Sequence, residues 1–277
     1  MILRQPVLFV SHGAPDLLLS PSLTGTLWTA LGRVLPRPVA ILVISAHWQT
    51  ESPTVSAAPQ PSTIHDFSGF PKALYAMNYP AVGAVQLANR VINLLADCGI
   101  VVARDTQRGL DHGAWVPLKQ IYPAADIPIG QLSISLRADP EWHFNLGKML
   151  HALRNEGVLI LASGAVTHNF DWLSGPGTPP LGPAQQFADW LADTIHTTNL
   201  KALLDYRQIA PHGAEAHPTE EHLLPLFVAH GAADSRDRVY RLAAEYCYGG
   251  LAMDSYLWQS AELPTVTLEN LQHIARN

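Results

Sequence analysis

Four short runs of apolar residues stand out along the chain, at about residues 7–10, 40–46, 127–133 and 158–163, and all are rich in Val, Ile and Leu. A strand that is buried on both faces of a parallel sheet has this continuous apolar character. The sequence therefore predicts four buried strands of one parallel sheet.

Helical periodicity fills the segments between and after these runs. Apolar residues recur at helical spacing in Leu23–Leu35, Val82–Asp97, Trp142–Glu156, Pro183–Thr197 and Glu220–His230. Gly157 is expected to end the third of these helices. The alternation of strands and helices predicts right-handed crossovers and a mostly parallel central sheet flanked by helices.

The end of the chain has a different pattern. Val239–Tyr246 and Leu251–Trp258 read as two strands on either side of a Gly-Gly turn, which predicts a C-terminal β-hairpin at a sheet edge. A further short strand is possible at Ile100–Ala103. Because proline and glycine are spread along the sequence and mark no linker, we expect an α/β fold with one domain over residues 1–277.

Composition narrows the class of protein. The 277 residues are 48% hydrophobic and only 14% charged, against a usual value of about 25%. The net charge is −6 and no basic stripe is present, so neither nucleic acid nor an anionic membrane is an expected partner. The sequence shows no signal-peptide pattern and no membrane-length apolar run, and its two cysteines make no disulfide framework. We expect a cytoplasmic protein, and the sequence does not indicate its oligomeric state.

Three histidines follow predicted strands, and their recurrence is the main chemical signal. His12 ends Val-Leu-Phe-Val-Ser-His, His47 follows Ile-Leu-Val-Ile-Ser-Ala, and His168 follows the fourth strand through a short loop. Ligands of open α/β sheets bind outside the carboxyl ends of the strands. If the first two strands are neighbours, His12 and His47 converge there, as nitrogen ligands of one metal must.

A third ligand is less clearly marked. His222 follows Glu220 and Glu221 in what resembles the first turn of a helix, from which a side chain can point into a site. His217 and His230 compete with it. On one helix, His230 would lie about 12 Å from His222 along the axis, so those two cannot share an ion; His217 remains possible on spacing alone.

The remaining candidates have open roles at this point. His168 is either a fourth ligand or a free imidazole that acts as a general acid/base. His112 is either a loop residue with local partners or an imidazole oriented by Asp111. His65 lies in a loop-rich segment that could form a wall of the site. Ser11 and Ser45 are expected to be hydrogen-bonding partners of the site rather than nucleophiles. Five further histidines are expected to be solvated or to lie on helix faces, with no role in the site: His143, His151, His196, His212 and His273.

Several motif strings together resemble a known family. They are Ser-His-Gly-Ala-Pro, Leu-Pro-Arg-Pro-x-Ala-Ile-x-Val-x-Ser-Ala-His-Trp, Thr-Ile-His-Asp-Phe-x-Gly-Phe-Pro, Leu-Asp-His-Gly-x-Trp, Ala-Ser-Gly-x-Val-x-His-Asn and Pro-Thr-x-Glu-His-x-Leu-Pro-Leu. The combination is similar to the DOPA 4,5-dioxygenase-like group of class III extradiol ring-cleavage dioxygenases, which are related to protocatechuate 4,5-dioxygenase. The likeness runs over nearly the whole chain.

This resemblance implies a single α/β domain that binds one divalent metal ion, Zn²⁺ or Fe²⁺. It implies that His12, His47 and His222 are the ligands, that His168 is the acid/base, and that His112 binds a substrate oxygen. The implied reaction opens a small catechol-type aromatic diol with O₂ to a muconic semialdehyde. Many class III enzymes have a glutamate as third ligand, whereas a third histidine suits zinc as well as iron.

Two other functions fit the same residues. Three histidines and a water match a catalytic zinc site, so a zinc-dependent hydrolase-type enzyme is one alternative. A non-catalytic binding protein on the same fold is the other, because a fold does not fix a function. The sequence has no G-x-S-x-G elbow, phosphate-binding loop, H-E-x-x-H pair or C-x-x-C pair, which argues against other common chemistries.

Overall fold

A computed structural model describes residues 3–242, 245–261, 263, 269–271 and 274. It shows a mixed α/β domain built on a six-stranded sheet. The strands are β1 Val7–Ser11, β2 Ala40–Ser45, β3 Gln49–Thr50, β4 Thr54–Ser56, β5 Ala103–Asp105, β6 Ile129–Gln131, β7 Ile134–Ser135, β8 Val158–Gly164, β9 Asp237–Leu242, β10 Tyr246–Cys247, β11 Leu251–Ala252 and β12 Ser255–Ser260.

The strand order of the main sheet is β6-β2-β8-β1-β12-β9. The first four of these strands run parallel to one another, and β12 pairs antiparallel with both β1 and β9. The four predicted strands are therefore confirmed, with β6 at one edge of the sheet, and so is the mostly parallel arrangement. In register, Ser11 lies beside Gly164, and Ser45 beside Ser163, so the carboxyl ends of β1, β2 and β8 meet at one edge.

Helices cover the sheet. Their bounds are α1 Leu23–Val34, α2 Lys72–Tyr75, α3 Val85–Ala96, α4 His112–Ile121, α5 Pro140–Leu150, α6 Gly182–His196, α7 Leu200–Leu204, α8 Tyr206–Ile209, α9 Gly213–Ala216 and α10 Leu224–Ala232. Short 3-10 segments lie at Pro15–Leu18, His151–Glu156 and Phe170–Trp172. Gly157 ends the segment after α5 with a left-handed φ of 80°, as its position in the sequence predicted.

Both faces of the sheet are buried. In β1, Val7 and Phe9 contact one apolar cluster, whereas Leu8 and Val10 contact the other. Successive side chains of a strand point to opposite faces, so a strand between two helical layers must be apolar throughout. This is the physical reason for the continuous apolar runs in the sequence.

Two sequence predictions differ from the structure, and one helix was not predicted. The helix predicted at Glu220–His230 begins only at Leu224, because Pro225 lacks an amide hydrogen and is tolerated in the first turn but not in the interior. A strand was possible at Ile100–Ala103, but the strand observed there is β5, Ala103–Asp105. Helix α4 was not predicted, since Gly113 and Pro117 obscure its periodicity.

The C-terminal strands pair as predicted, with one further detail. β9 and β12 form the antiparallel pair at the edge of the main sheet, and β10 and β11 form a separate small hairpin between them. Residues 243 and 244, which belong to the predicted first strand, lie outside the described residues. Within the described residues, no helix has the length and apolar character needed to cross a membrane.

Candidate active site

His12 and His47 lie at the carboxyl edge of the sheet. His12 directly follows β1, and its backbone N–H donates to the carbonyl of Gly164 at 2.9 Å. Gly13 then turns the chain with a φ of 60°. His47 lies two residues after β2. Because β8 alone separates these two strands, the rings meet, and their Nε2 atoms lie 3.0 Å apart.

His222 reaches the same place from a turn that precedes α10. The N–H of Ala165 donates to its carbonyl at 2.8 Å, which ties the turn to the end of β8. Its ring centroid lies 5.4 Å from that of His12 and 5.0 Å from that of His47. His222 Nδ1 lies 2.9 Å from Glu221 Oε1, while the buried Nε2 has no hydrogen-bond partner in the described part of the chain.

These three histidines fit a divalent metal ion. Each offers one ring nitrogen, and the three atoms lie within 4.8 Å of one another. Burial, followed by the charges of neighbouring histidines, lowers the pKa of His12 and of His222 well below its usual value. Burial and His112 lower the pKa of His47 to about 4. Neutral imidazoles are what a metal needs, and a bare buried nitrogen such as His222 Nε2 is costly without a partner.

His168 lies beside this group rather than within it. It occupies the loop after β8, and its N–H donates to Ala216. Its ring stacks on that of His222, with centroids 3.4 Å apart and planes 8° apart. Burial lowers the pKa of His168, and the opposing charge of Glu221 only partly offsets this effect. The half-buried imidazole is therefore neutral near pH 7, as a general base must be.

His112 is the first residue of α4 and is not a loop residue. Asp111 caps this helix by accepting from the N–H of Ala114, and its carboxylate also binds Ser45 and Arg108. Asp111 thus faces away from the His112 ring and does not orient it. The carboxylate beside the His112 ring is that of Asp66. Asp66 Oδ1 accepts from the backbone N–H of His112 at 2.8 Å and lies 3.0 Å from His112 Nδ1.

Asp66 joins two histidines of the site and was not singled out from the sequence. Its Oδ2 lies 3.7 Å from His47 Nδ1. Burial alone would raise the pKa of Asp66, but the hydrogen bonds and charge of His112, with a contribution from His47, outweigh it and lower the pKa to about 2. In the sequence, Asp66 is marked only by its place in the Thr-Ile-His-Asp-Phe string, in which His65 is the more obvious candidate.

The competing histidines lie elsewhere. His217 is fully buried between Phe187 and Tyr206, and its Nε2 lies 2.8 Å from the carbonyl of Val166, so it belongs to the core. His230 packs between Phe144 and Trp258.

Two other histidines, His65 and His143, lie near the site or in the core. The segment that contains His65 forms a wall of the cavity through Asp66, Phe67 and Phe70, whereas His65 itself contacts the carbonyl of Met77 and does not line the cavity. His143 lies on helix α5, as one of its two predicted settings requires, but it is fully buried and accepts from the Ser135 N–H, so it is not solvated. His273 lies outside the described residues.

A cavity of about 480 Å³ opens over the histidines. Its walls are mainly apolar and come from the loop after β1, the loop of Asp66, the loop after β8 and the hairpin of β10 and β11. The apolar side chains that line it are Ala14, Pro15, Phe67, Phe70, Ala165, Phe170, Leu173, Leu251, Ala252 and Met253. Among the described residues that line the cavity, none is Lys or Arg.

Comparison with known families decides the class of this site. The family model of the catalytic LigB subunit of aromatic ring-opening dioxygenase matches residues 28–253. The chain belongs to this family. LigB enzymes are extradiol ring-cleaving dioxygenases, hence oxidoreductases, and they bind a metal. The matched region contains His47, His112, His168 and His222, and His12 precedes it.

Similar proteins agree with the LigB assignment. A 4,5-DOPA dioxygenase extradiol of Beta vulgaris is 40% identical over 261 residues, which is 91% of this chain and 96% of the relative. A protein of the same name from Escherichia coli K12 is 40% identical, over 85% of this chain and 88% of the relative. The crystal structure of an uncharacterized E. coli K12 protein superposes with a TM-score of 0.79 at 35% identity, over 92% of this chain and 99% of the other.

Proposed function

We propose that this LigB protein is a metal-dependent dioxygenase that opens a catechol-type aromatic diol with O₂ to give a muconic semialdehyde. The observation that carries the proposal is the convergence of three imidazole nitrogens, from the buried His12 and His222 and the half-buried His47, beneath an apolar cavity. An aromatic ring fits such a cavity, and the histidines lie where its two hydroxyls would enter. The whole chain, residues 1–277, would act as one catalytic domain, because the cavity draws residues from Ser11 to Met253.

His12, His47 and His222 would hold the ion, which we propose to be Fe²⁺ or Zn²⁺. When bound, the ion supplies positive charge that acidifies the diol and, in the ferrous form, the redox capacity that O₂ requires. The protein residues keep these ligands neutral and aimed at one point. Glu221 accepts from His222 Nδ1, so the proton of that ring is on the far side from the site.

His168 would carry the proton. Its neutral imidazole lines the cavity and can accept a proton from one diol hydroxyl, then return it as the ring opens. A positioned acid/base of this kind contributes roughly 10²–10⁴-fold to a rate. The stack on His222 fixes the orientation of the His168 ring, which reduces the reorganisation needed for transfer.

His112 would bind the second oxygen of the diol. Asp66 lies at His112 Nδ1, so Nε2 remains for a substrate hydroxyl, which can donate to it. In the net reaction, one carbon–carbon bond next to the diol breaks and both atoms of O₂ enter the product. Atoms and electrons therefore balance without a further reductant.

The cavity walls favour a substrate whose ring substituent carries no negative charge. Phe67, Phe70 and Met253 offer apolar contacts, and Asp66 would repel a carboxylate near the diol. A buried carboxylate needs a cation or several donors, and no Lys or Arg lines the cavity in the described part of the chain. A small aromatic diol with a neutral substituent satisfies these conditions.

The test is metal analysis followed by turnover. Protein purified without chelator is assayed for bound metal, then loaded with Fe²⁺ under anaerobic conditions and mixed with a panel of catechols and O₂. We expect one ion per chain, O₂ uptake equal to the diol consumed, and a yellow semialdehyde. A loaded protein that consumes no O₂ with any catechol would contradict the proposal, and hydrolytic activity of the Zn²⁺ form would favour the zinc-dependent hydrolase instead.

A further inference from the structure

Helix α4, which supplies His112, contains a proline in its interior. Pro117 has no amide hydrogen, so the carbonyl four residues earlier, that of Gly113, lacks the donor it would have in a regular helix. A buried carbonyl without a donor is costly, and native structures supply a partner from elsewhere.

Ser163 supplies that partner. It lies in β8, is fully buried, and its hydroxyl donates to the Gly113 carbonyl in a short hydrogen bond. A carbonyl oxygen cannot donate, so the proton between the two oxygens must be that of Ser163. The serine has only one such proton, and it is therefore committed to Gly113.

The same serine oxygen touches a proposed metal ligand. His12 Nδ1 lies 3.0 Å from Ser163 Oγ. Since the hydroxyl proton points to Gly113, Oγ can only accept from His12, and Nδ1 must carry the hydrogen. The other ring nitrogen of His12, Nε2, is then bare, and this is the atom that lies 3.0 Å from Nε2 of His47.

The three proposed ligands are oriented by different chemistry. His222 Nδ1 faces the carboxylate of Glu221, and His47 Nδ1 lies 3.7 Å from that of Asp66. His12 Nδ1 faces a neutral hydroxyl instead. A free hydroxyl can donate as readily as accept, so it would not by itself select a tautomer. The commitment of the Ser163 proton to a carbonyl removes this ambiguity.

We propose that Ser163 is a positioning residue that holds His12 in its metal-binding tautomer, and that Pro117 makes this possible by leaving the Gly113 carbonyl free to take the serine proton. This inference rests on the proposed metal centre at His12, His47 and His222. Gly113 is not a useful site for the test, because an added Cβ would lie 2.5 Å from Ser45 Oγ and 3.0 Å from His47 Cδ2.

The experiment measures Zn²⁺ affinity of the full-length protein by competition with a chromophoric chelator, together with thermal stability. Ser163→Ala should weaken Zn²⁺ binding by roughly 10–100-fold, the usual loss when a partner of a ligating histidine is removed. The matched control is Ser255→Ala, which also removes a buried strand hydroxyl that accepts one hydrogen bond, here from the Trp28 indole. It should lose stability but keep its Zn²⁺ affinity.

Pro117→Ala distinguishes a positioning role of Ser163 from a purely structural one. Alanine restores an N–H that can donate to Gly113, which frees the Ser163 proton to point at His12 Nδ1. Because alanine is the better helix former, the melting temperature should hold or rise while Zn²⁺ affinity falls. Long-range ¹H–¹⁵N spectra of histidine-labelled metal-free protein should show His12 protonated at Nδ1 in the wild type and less so in this variant.

The outcomes distinguish the inference from the proposed function. Wild-type affinity in Ser163→Ala, or an equal loss in Ser255→Ala, would overturn the role of Ser163. Unchanged affinity and tautomer in Pro117→Ala would overturn the role of the proline. A wild-type protein that binds no Zn²⁺ at all would instead refute the metal centre, and the positioning role with it.

Discussion

Replacement of His168 by alanine tests the division of labour among the histidines. We expect His168→Ala to retain the metal ion and to lose turnover. The imidazole stacks on the ring of His222 and is not one of the three nitrogens that converge, so its loss should remove a proton carrier but no ligand.

The expected effects of His168→Ala on turnover and on metal affinity differ in size. Loss of a general acid/base costs about 10²–10⁴ in kcat, or roughly 2.7–5.4 kcal/mol at about 1.36 kcal/mol for each factor of ten. Loss of an aromatic stack is worth about 0.5–1.5 kcal/mol, which limits the effect on metal affinity to roughly tenfold. Turnover should therefore fall at least ten times more than affinity.

The assay compares O₂ uptake by the Fe²⁺-loaded protein with the Zn²⁺ dissociation constant of the same preparation. His65→Ala is the matched control, since His65 is also half-buried but does not line the cavity. Burial lowers the pKa of His168, so the fall of the wild-type kcat/KM on the acid side should begin at a lower pH than an ordinary histidine would give. If His168→Ala loses its metal, the residue is a ligand; if it keeps both metal and turnover, it is not the acid/base.

Three further predictions concern the ligands, their support and acid stability. His12→Ala should lose bound metal and O₂ uptake together, as measured by metal analysis and an oxygen electrode, because one of the three proposed ligands is gone. Asp66→Asn should keep the metal and lose roughly 10–100-fold in kcat/KM, since the carboxylate that faces His112 and His47 becomes neutral. Burial lowers the pKa of His217 to about 3 in the folded protein, against about 6.5 when unfolded. Between these values the unfolded chain binds more protons, so stability falls as the pH drops below 6.5. Urea denaturation at pH 7 and pH 5 should therefore show a loss about 2 kcal/mol larger in the wild type than in His217→Gln. An equal loss in the two proteins would contradict this.

The strands of the sheet could be predicted because their burial shows directly in the local sequence. A strand that is buried on both faces must be apolar along its whole length, and β1, β2 and β8 follow this rule. The carboxyl ends of parallel strands share one edge, so the sequence predicted that His12 and His47 meet if their strands are neighbours. They do meet, although β8 lies between β1 and β2.

Helix boundaries near proline were harder to predict. Pro117 lies inside α4 and hides it, because an interior proline normally argues against a helix. Here the cost is reduced by a hydroxyl from β8, a contact that helical periodicity does not reveal. Pro225 acted in the opposite way, since it limits α10 to a later start and leaves His222 in a turn. The same residue type thus shortened a predicted helix, α10, and was accommodated inside an unpredicted one, α4, where a tertiary partner takes up the free carbonyl.

The residues that orient the three histidines show where sequence reasoning ends. Glu221 adjoins His222 in the chain, so a local reading of Thr-Glu-Glu-His could have found it. Ser163 is 151 residues from His12, and their contact exists only because β1 and β8 are neighbours in the sheet. Asp66 lies in a loop with no periodicity to mark it. The sequence shows which residue is a histidine and could bind a metal. The tautomer of that histidine, however, depends on the group that contacts its other ring nitrogen in the folded protein, and no local sequence pattern identifies that group.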